Sequence, residues 1–260
     1  MKYVKKSLGQ HFLIDKNVIK KIINLIDVKN KNVIEIGPGE GALTKEILKY
    51  KPKLLLAIEK DFTLFQNLKT KFSDYKNFKV LNFDILKFKI ENVLEKNSII
   101  FGNLPYNISS QILVKFLKVN KARTKLSDVI FMFQKELGDK IIAKYPSKNY
   151  GRISILTNFQ FKIFKKFLVS RNCFFPRPKI LSMIIHFKPH TKNKIKIKRL
   201  ENLEKVTNIL FSNKRKMINK NIRKILNQNQ INEINNLNLN YRPDKIKPEI
   251  YYEIAKLIEK

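Results

Sequence analysis

The run Asn32-Val33-Ile34-Glu35-Ile36-Gly37-Pro38-Gly39-Glu40-Gly41 decides the fold. Val33, Ile34 and Ile36 suit a buried strand. The glycines that follow permit a tight turn into a helix and let backbone approach a ligand. Outward from this turn, short β-rich runs alternate with helical patterns from Lys31 to about Phe187, as in a parallel sheet with crossover helices. Strands are expected at Asn32–Ile36, Leu54–Glu59, Phe78–Phe83, Ser98–Gly102, Val129–Phe133, Ser154–Phe161 and Met183–Phe187. The last two lack a full helix between them, which predicts an antiparallel hairpin at the sheet edge. Upstream, Asp15 is placed to cap a helix whose Val18, Ile19, Ile22, Ile23 and Ile26 share one face.

After Phe187 the composition shifts to a basic connector, Lys188–Lys198. Beyond it, Leu203, Val206, Leu210 and Phe211 have helical spacing, as do Ile218, Ile222, Ile225 and Leu226, and a last helix follows Pro248. The expected architecture is therefore α/β: a Rossmann-like domain over residues 1–187 and a small, basic α-helical domain over 188–260.

Charge narrows the partners. The chain has 54 Lys+Arg against 21 Asp+Glu, a formal net charge of +33, with 43% apolar residues to build a core. So large an excess favours a polyanion. No apolar run is long enough to span a bilayer, and Lys and Arg gain affinity by displacing counterions from phosphates, so nucleic acid is the expected partner. Part of the excess reflects a chain rich in Lys, Asn and Ile throughout. Cys173 is the single cysteine, which excludes an internal disulfide and a cysteine-rich zinc site. His186 and His190 are too isolated to suggest a metal. The interrupted N-terminus does not read as a secretory signal. A cytoplasmic monomer without metal or membrane attachment is expected.

Three carboxylates close successive strands: Glu35, Glu59 and Asp84. Ligands of such sheets bind at the carboxyl ends of the strands, where Glu59 suits ribose hydroxyls and Asp84 an adenine amine. The compressed glycine spacing, with Glu40 where a phosphate would sit, disfavours a dinucleotide. It favours a phosphate-free, cationic adenosine cofactor such as S-adenosylmethionine. A second site, Phe101-Gly102-Asn103-Leu104-Pro105-Tyr106-Asn107, follows the fourth strand. The Asn103 carboxamide oxygen and a neighbouring carbonyl can accept both protons of an exocyclic amine. Pro105 fixes the turn, and Tyr106 offers a face to an unstacked base.

These motifs, with Lys6-Ser7-Leu8-Gly9-Gln10-His11-Phe12-Leu13, Tyr150-Gly151-Arg152-Ile153-Ser154, Phe174-Phe175-Pro176-Arg177-Pro178-Lys179-Ile180 and Phe211-Ser212-Asn213-Lys214-Arg215-Lys216, resemble the ribosomal RNA adenine N6,N6-dimethyltransferases. The resemblance spans nearly the whole chain and implies a class I S-adenosylmethionine methyltransferase. The nearest group is the bacterial one that dimethylates two adjacent adenines near the 3′ end of 16S rRNA in the small ribosomal subunit, with a role in subunit biogenesis. It implies that His11, Leu13, Gly37, Glu59, Asp84 and Asn103 contact the cofactor. Asn103 and the Pro105 carbonyl would hold the target amine, and Tyr106 and Phe174, the latter at the rim, would sandwich the base. His11 departs from the commoner Asn, but an imidazole still donates or accepts. For RNA contact, Arg152, Lys214, Arg215, Lys216 and Arg223 stand out, the last four on an expected basic helix face with Lys220 and Lys224. A large-subunit rRNA dimethyltransferase and a ribosome-assembly binding factor with secondary catalysis are the alternative readings.

Overall fold

A computed structural model of the chain describes residues 10–119, 125–190 and 195–259. The Lys6–Gly9 part of the N-terminal motif lies outside these residues. Strand β1 (Phe12–Leu13) leads into α1 (Lys16–Ile23), capped by the Asp15 carboxylate accepting from the Asn17 and Val18 amides. Ile19, Ile22 and Ile23 are its buried face, as the 3.6-residue spacing requires. Then come β2 (Asn32–Ile36), α2 (Ala42–Lys49), β3 (Leu54–Glu59), α3 (Phe62–Lys71), β4 (Phe78–Asn82), β5 (Ser98–Asn103), α4 (Ser109–Leu117) and β6 (Leu126–Gln134). The chain continues through α5 (Lys135–Ile141), α6 (Arg152–Gln160), β7 (Phe161–Val169), β8 (Phe174–Phe175) and β9 (Ser182–Pro189).

The main sheet has seven strands in the order β4-β3-β2-β5-β6-β9-β7. Strands β4 to β6 pair in parallel, and β9 joins β6 antiparallel, with Ile130 opposite His186. The order reverses between β2 and β5, so the carboxyl ends of these two strands open a crevice. A separate two-stranded sheet pairs β1 with β8, Leu13 opposite Phe174 and Phe12 opposite Phe175.

Two expectations of strand placement change. Ser154–Phe161 is not a strand: Arg152–Gln160 is helical and the strand runs from Phe161 to Val169. Ser154, Ile155, Leu156, Thr157, Phe159 and Gln160 are all buried, so the helix lacks the polar face that gives a helical period. Its start is held by Ser154, whose hydroxyl accepts from the Gly151 amide (3.0 Å) and donates to the Gly151 carbonyl (2.7 Å). Met183–Phe187 is a strand, but it lies inside the sheet, and β7 forms the edge.

The chain divides into two compact units, Met1–Gly138 with Ile163–Pro189, and Asp139–Lys162 with His190–Lys260. The expected boundary at 187/188 is near the last crossing, after Pro189, but 139–162 groups with the C-terminal unit rather than with the sheet. Buried Tyr150 donates to the Ile246 carbonyl (3.1 Å), and the Phe159 ring packs 4.9 Å from that of Tyr252. The C-terminal unit adds α7 (Leu200–Phe211), α8 (Asn219–Ile222), α9 (Gln228–Asn232) and α10 (Pro248–Leu257).

Candidate functional site

The sheet unit holds a cavity of about 420 Å³ at the crevice between β2 and β5, lined by residues of β1, the 37–40 turn, Glu59–Lys60, Phe83–Ile85 and Gly102–Ile108. That volume suits a small-molecule or cofactor site. Gly37, Gly39 and Gly41 all have positive φ, between 59° and 78°. At Gly39 a Cβ would also lie 2.7 Å from the Phe12 ring, so the N-terminal segment closes directly over the turn. The turn is tied to β3: the Gly37 amide donates to the Ile58 carbonyl (3.0 Å), and the Gly39 amide to Glu59 Oε2 (3.2 Å).

The three strand-end carboxylates meet here, two of them raised and one lowered. Burial pushes the Glu35 carboxyl up to about 7, although Thr44 Oγ1 donates to its Oε2 at 2.6 Å. Burial also raises Glu59, against the pull of the Asp61 amide, which donates to Oε1 at 2.9 Å, and the Gly39 amide. At Asp84, burial acts upward, but the Lys60 ammonium 2.9 Å away and the Leu86 amide outweigh it and lower the carboxyl. Each carboxyl oxygen has two lone pairs, so Glu59 and Asp84 keep capacity to accept from a ligand's hydroxyl and amine beyond the amides they already bind. A set of carboxylates around a glycine turn attracts a cation and repels phosphates. The donor set therefore fits S-adenosylmethionine.

At the acceptor end, Asn103 closes β5 and its Nδ2 donates to the His11 carbonyl at 3.0 Å. Because that carbonyl only accepts, the amide must present its nitrogen there, which leaves Oδ1 for another donor. The Pro105 carbonyl already accepts from the Ile108 amide at 3.2 Å and retains its second lone pair. Tyr106 is fixed twice: its hydroxyl is 2.6 Å from Ser182 Oγ, and its ring lies 5.2 Å from His11 at an interplanar angle of 32°. His11 Nδ1 donates to the Pro176 carbonyl at 2.7 Å. His11 thus joins β1, the Asn103–Tyr106 turn and the Pro176 loop.

Of the residues read from sequence, His11, Leu13, Gly37, Glu59, Asp84, Asn103, Pro105 and Tyr106 share this one cavity wall. Phe174 does not. It is 3% exposed and packed in the core with Leu13, while Phe175 is 44% exposed. Side chains alternate along β8, and pairing with β1 turns the Phe174 position inward. Sequence reasoning missed Ser182, Lys60 and Phe83 at the site; Phe83 and Lys60 flank the two carboxylates already singled out, and that adjacency was the available signal.

The expected basic helix is also different. Lys214, Arg215, Lys216 and Arg223 are exposed, but they span a turn and the short α8 rather than one helix. Like charges at Lys216/Lys220 and Lys220/Lys224 oppose helix formation by a few tenths of a kcal/mol per pair, roughly. Arg223 donates to Gln228 Oε1 at 2.7 Å. Arg152 is half-buried, and its Nε is buried without a hydrogen-bond partner. Among the described residues, no helix is long and apolar enough to cross a membrane, and no cluster of three or more His, Cys, Asp or Glu is placed to hold a metal.

Comparison with known proteins agrees with this geometry. The chain is 42% identical over 256 residues to a ribosomal RNA small subunit methyltransferase A from Pelagibacter ubique, covering 98% of this chain and 97% of that one. It is 40% identical over 250 residues to the protein of the same name from Mycoplasma mobile, covering 95% of each. Among solved structures, a dimethyladenosine transferase from Plasmodium falciparum shares the fold with a TM-score of 0.73 at 23% identity, covering 94% of this chain and 95% of that one. The 23S rRNA methyltransferase ErmE does so with 0.68 at 22%, covering 96% of this chain and 100% of that one. The family model for ribosomal RNA adenine dimethylase matches residues 1–260, and with the glycine turn, the strand-end carboxylates and the Asn103–Tyr106 turn meeting in one cavity, the chain belongs to that family.

Proposed function

We propose that the chain transfers methyl groups from S-adenosylmethionine to the N6 amines of two adjacent adenines near the 3′ end of 16S rRNA, giving N6,N6-dimethyladenosine during small-subunit biogenesis. The observation that carries this reading is the Asn103 amide, turned by the His11 carbonyl so that Oδ1 is left as an acceptor beside the cofactor cavity. The relatives at 42% and 40% identity support the small subunit over the large.

Bound S-adenosylmethionine supplies an electrophilic methyl on a sulfonium. Glu59 holds ribose hydroxyls and Asp84 the adenine amine, while His11, Leu13 and Gly37 border the methionine end. Asn103 Oδ1 and the second lone pair of the Pro105 carbonyl accept the two amine protons. This turns the nitrogen lone pair toward the methyl. Tyr106, locked by Ser182 and His11, carries the unstacked base on its ring face. No general base is required, because the proton leaves a cationic, far more acidic nitrogen after transfer. Positioning therefore supplies most of the rate. A second methylation needs only that the monomethylated amine re-enter with one proton to donate.

Phe174 takes part as the support beneath β1 in this state; a sandwich with Tyr106 requires its ring to leave the core. Lys214, Arg215, Lys216 and Arg223, in a basic C-terminal domain over 188–260, contact RNA phosphates in this reading, as does Arg152 of a catalytic domain over 1–187. The protein works in the cytoplasm as a monomer. A tritium-methyl assay on undermethylated small subunits tests the assignment: Asn103→Ala should reduce incorporation by about 100-fold or more, and unchanged incorporation would refute it.

A further inference from the structure

The outer strand β7 carries a surface that the methyl-transfer site does not use. It is the last strand of the sheet. Phe164, Lys166 and Leu168 alternate onto one face, with Phe164 47% and Leu168 51% exposed. The Phe164 ring lies edge-on to buried His186 of β9, 5.2 Å between centroids. Lys188 Nζ sits 4.3 Å from that ring's centroid and Lys165 Nζ 5.6 Å. The one acid among these groups is Asp128, which is buried, hydrogen-bonded to His186 at 2.6 Å, and 3.6 Å from Lys188.

Lysines alone on an edge strand need no partner, since they block pairing with other sheets. Two large apolar side chains held open among them do not serve that purpose. An exposed ring surrounded by ammonium groups is the arrangement that binds unpaired nucleotides, with a base on the ring and phosphates on the lysines. We propose that the Phe164–Leu168 face of β7, with Lys166 and Lys188 and with Lys165 reaching the Phe164 ring from the strand's other side, is a second RNA-docking surface that holds an unpaired nucleotide of the substrate away from the target adenine. The inference rests on the reading of the chain as an RNA methyltransferase. Strand β9 sets the separation: Ser182, which anchors Tyr106, begins the strand and Lys188 lies six residues on. At roughly 3.3 Å per residue, about 20 Å separates them. The surface thus engages a folded or long RNA and lies beyond the reach of a short oligonucleotide seated at Tyr106.

The test compares wild type, Phe164→Ala and Lys165→Gln/Lys166→Gln on undermethylated small subunits and on a short adenine-containing oligonucleotide. The readouts are Kd as a function of salt, KM, kcat and thermal unfolding. We expect Phe164→Ala to bind subunits about fivefold more weakly or worse, the loss of one stacked base. The double lysine variant should bind more weakly, with a salt dependence shallower by about 0.7 for each phosphate it no longer neutralises. Both should keep wild-type kcat, and wild-type KM on the oligonucleotide. The double lysine variant leaves the Phe164–His186 packing in place, so its result stands even where Phe164→Ala unfolds. Unchanged subunit Kd in the folded variants would overturn the proposal. So would a concentration-dependent dimer abolished by Phe164→Ala with subunit binding intact, because the face would then belong to a second copy of this chain. A wild-type protein that methylates neither RNA refutes the methyltransferase reading separately, because the variant-to-wild-type ratio of subunit affinities is measured without turnover.

Discussion

Replacing Glu35 with Gln tests whether the floor of the cofactor cavity is protonated in the ligand-free protein. Glu35 is buried, and its carboxyl is pushed from 4.5 up to about 7. That interval corresponds to about 3 kcal/mol between charged and neutral forms. The folded chain holds this proton to higher pH than the unfolded chain does. The associated stability is therefore complete below pH 4.5 and is lost as pH rises to about 7. Gln is neutral at every pH and can still accept from Thr44 Oγ1, which donates to Glu35 Oε2 at 2.6 Å. Urea unfolding of both proteins without cofactor, between about pH 5 and about pH 8, isolates Glu35 together with its coupled neighbour Glu59, because the remaining titrations are shared. The expected outcome is a variant that gains on the wild type as pH rises, by up to about 3 kcal/mol, and then runs parallel to it. A constant difference across the range would refute the reasoning, since Glu35 would then titrate alike in both states.

Further outcomes follow from the same network of side chains. His186→Ala leaves Asp128 buried without its 2.6 Å partner. It should cost roughly 3 kcal/mol at neutral pH in chemical unfolding. Burial pushes the Asp128 carboxyl up, but His186, with help from Ser127 and the Lys188 ammonium, outweighs it and holds it below its ordinary value. The wild-type advantage is thus present above the unfolded pKa and closes as pH falls through the folded one, and a gap that widens in acid would contradict this. Gly39→Ala forces a Cβ to 2.7 Å from the Phe12 ring at a φ of +59°. It should destabilise by about 1–3 kcal/mol and weaken S-adenosylmethionine binding in calorimetry; wild-type affinity would show that Phe12 does not close over the turn. His11→Ala removes the Pro176 hydrogen bond and the ring beside Tyr106 while keeping the backbone carbonyl that holds Asn103. Steady-state kinetics should show kcat falling by about 10-fold or more, with partial recovery in His11→Asn; an unchanged kcat would confine His11 to cofactor contact.

The parallel strands and the cofactor turn were legible because each is local. Val33, Ile34 and Ile36 before three glycines, and single carboxylates at strand ends, carry their meaning within a few residues. The helix Arg152–Gln160 was not legible, since burial on all sides erases the period that marks a helix, and Ile, Leu, Thr and Phe then read as a strand. The pairing of β1 with β8 was beyond reach for another reason: two residues have no period, and Phe12 meets Phe175 from the far end of the domain. That pairing decides which of Phe174 and Phe175 turns inward. It also brings His11 against Tyr106 and the Pro176 carbonyl, a three-way junction no spacing announces. The basic cluster at Lys214–Lys216 was visible as charge, but its shape was not, because the apolar spacing at Ile218 and Ile222 does not say that the helix begins only at Asn219.

The most direct test of the account is mass spectrometry of RNA digests from undermethylated small subunits incubated with the protein and isotopically labelled S-adenosylmethionine. Label is expected in N6,N6-dimethyladenosine at two adjacent adenines near the 3′ end of the small-subunit RNA, reduced about 100-fold or more with Asn103→Ala. Absence of label from those two adenines with the wild-type protein, or label there with Asn103→Ala at wild-type yield, would contradict it.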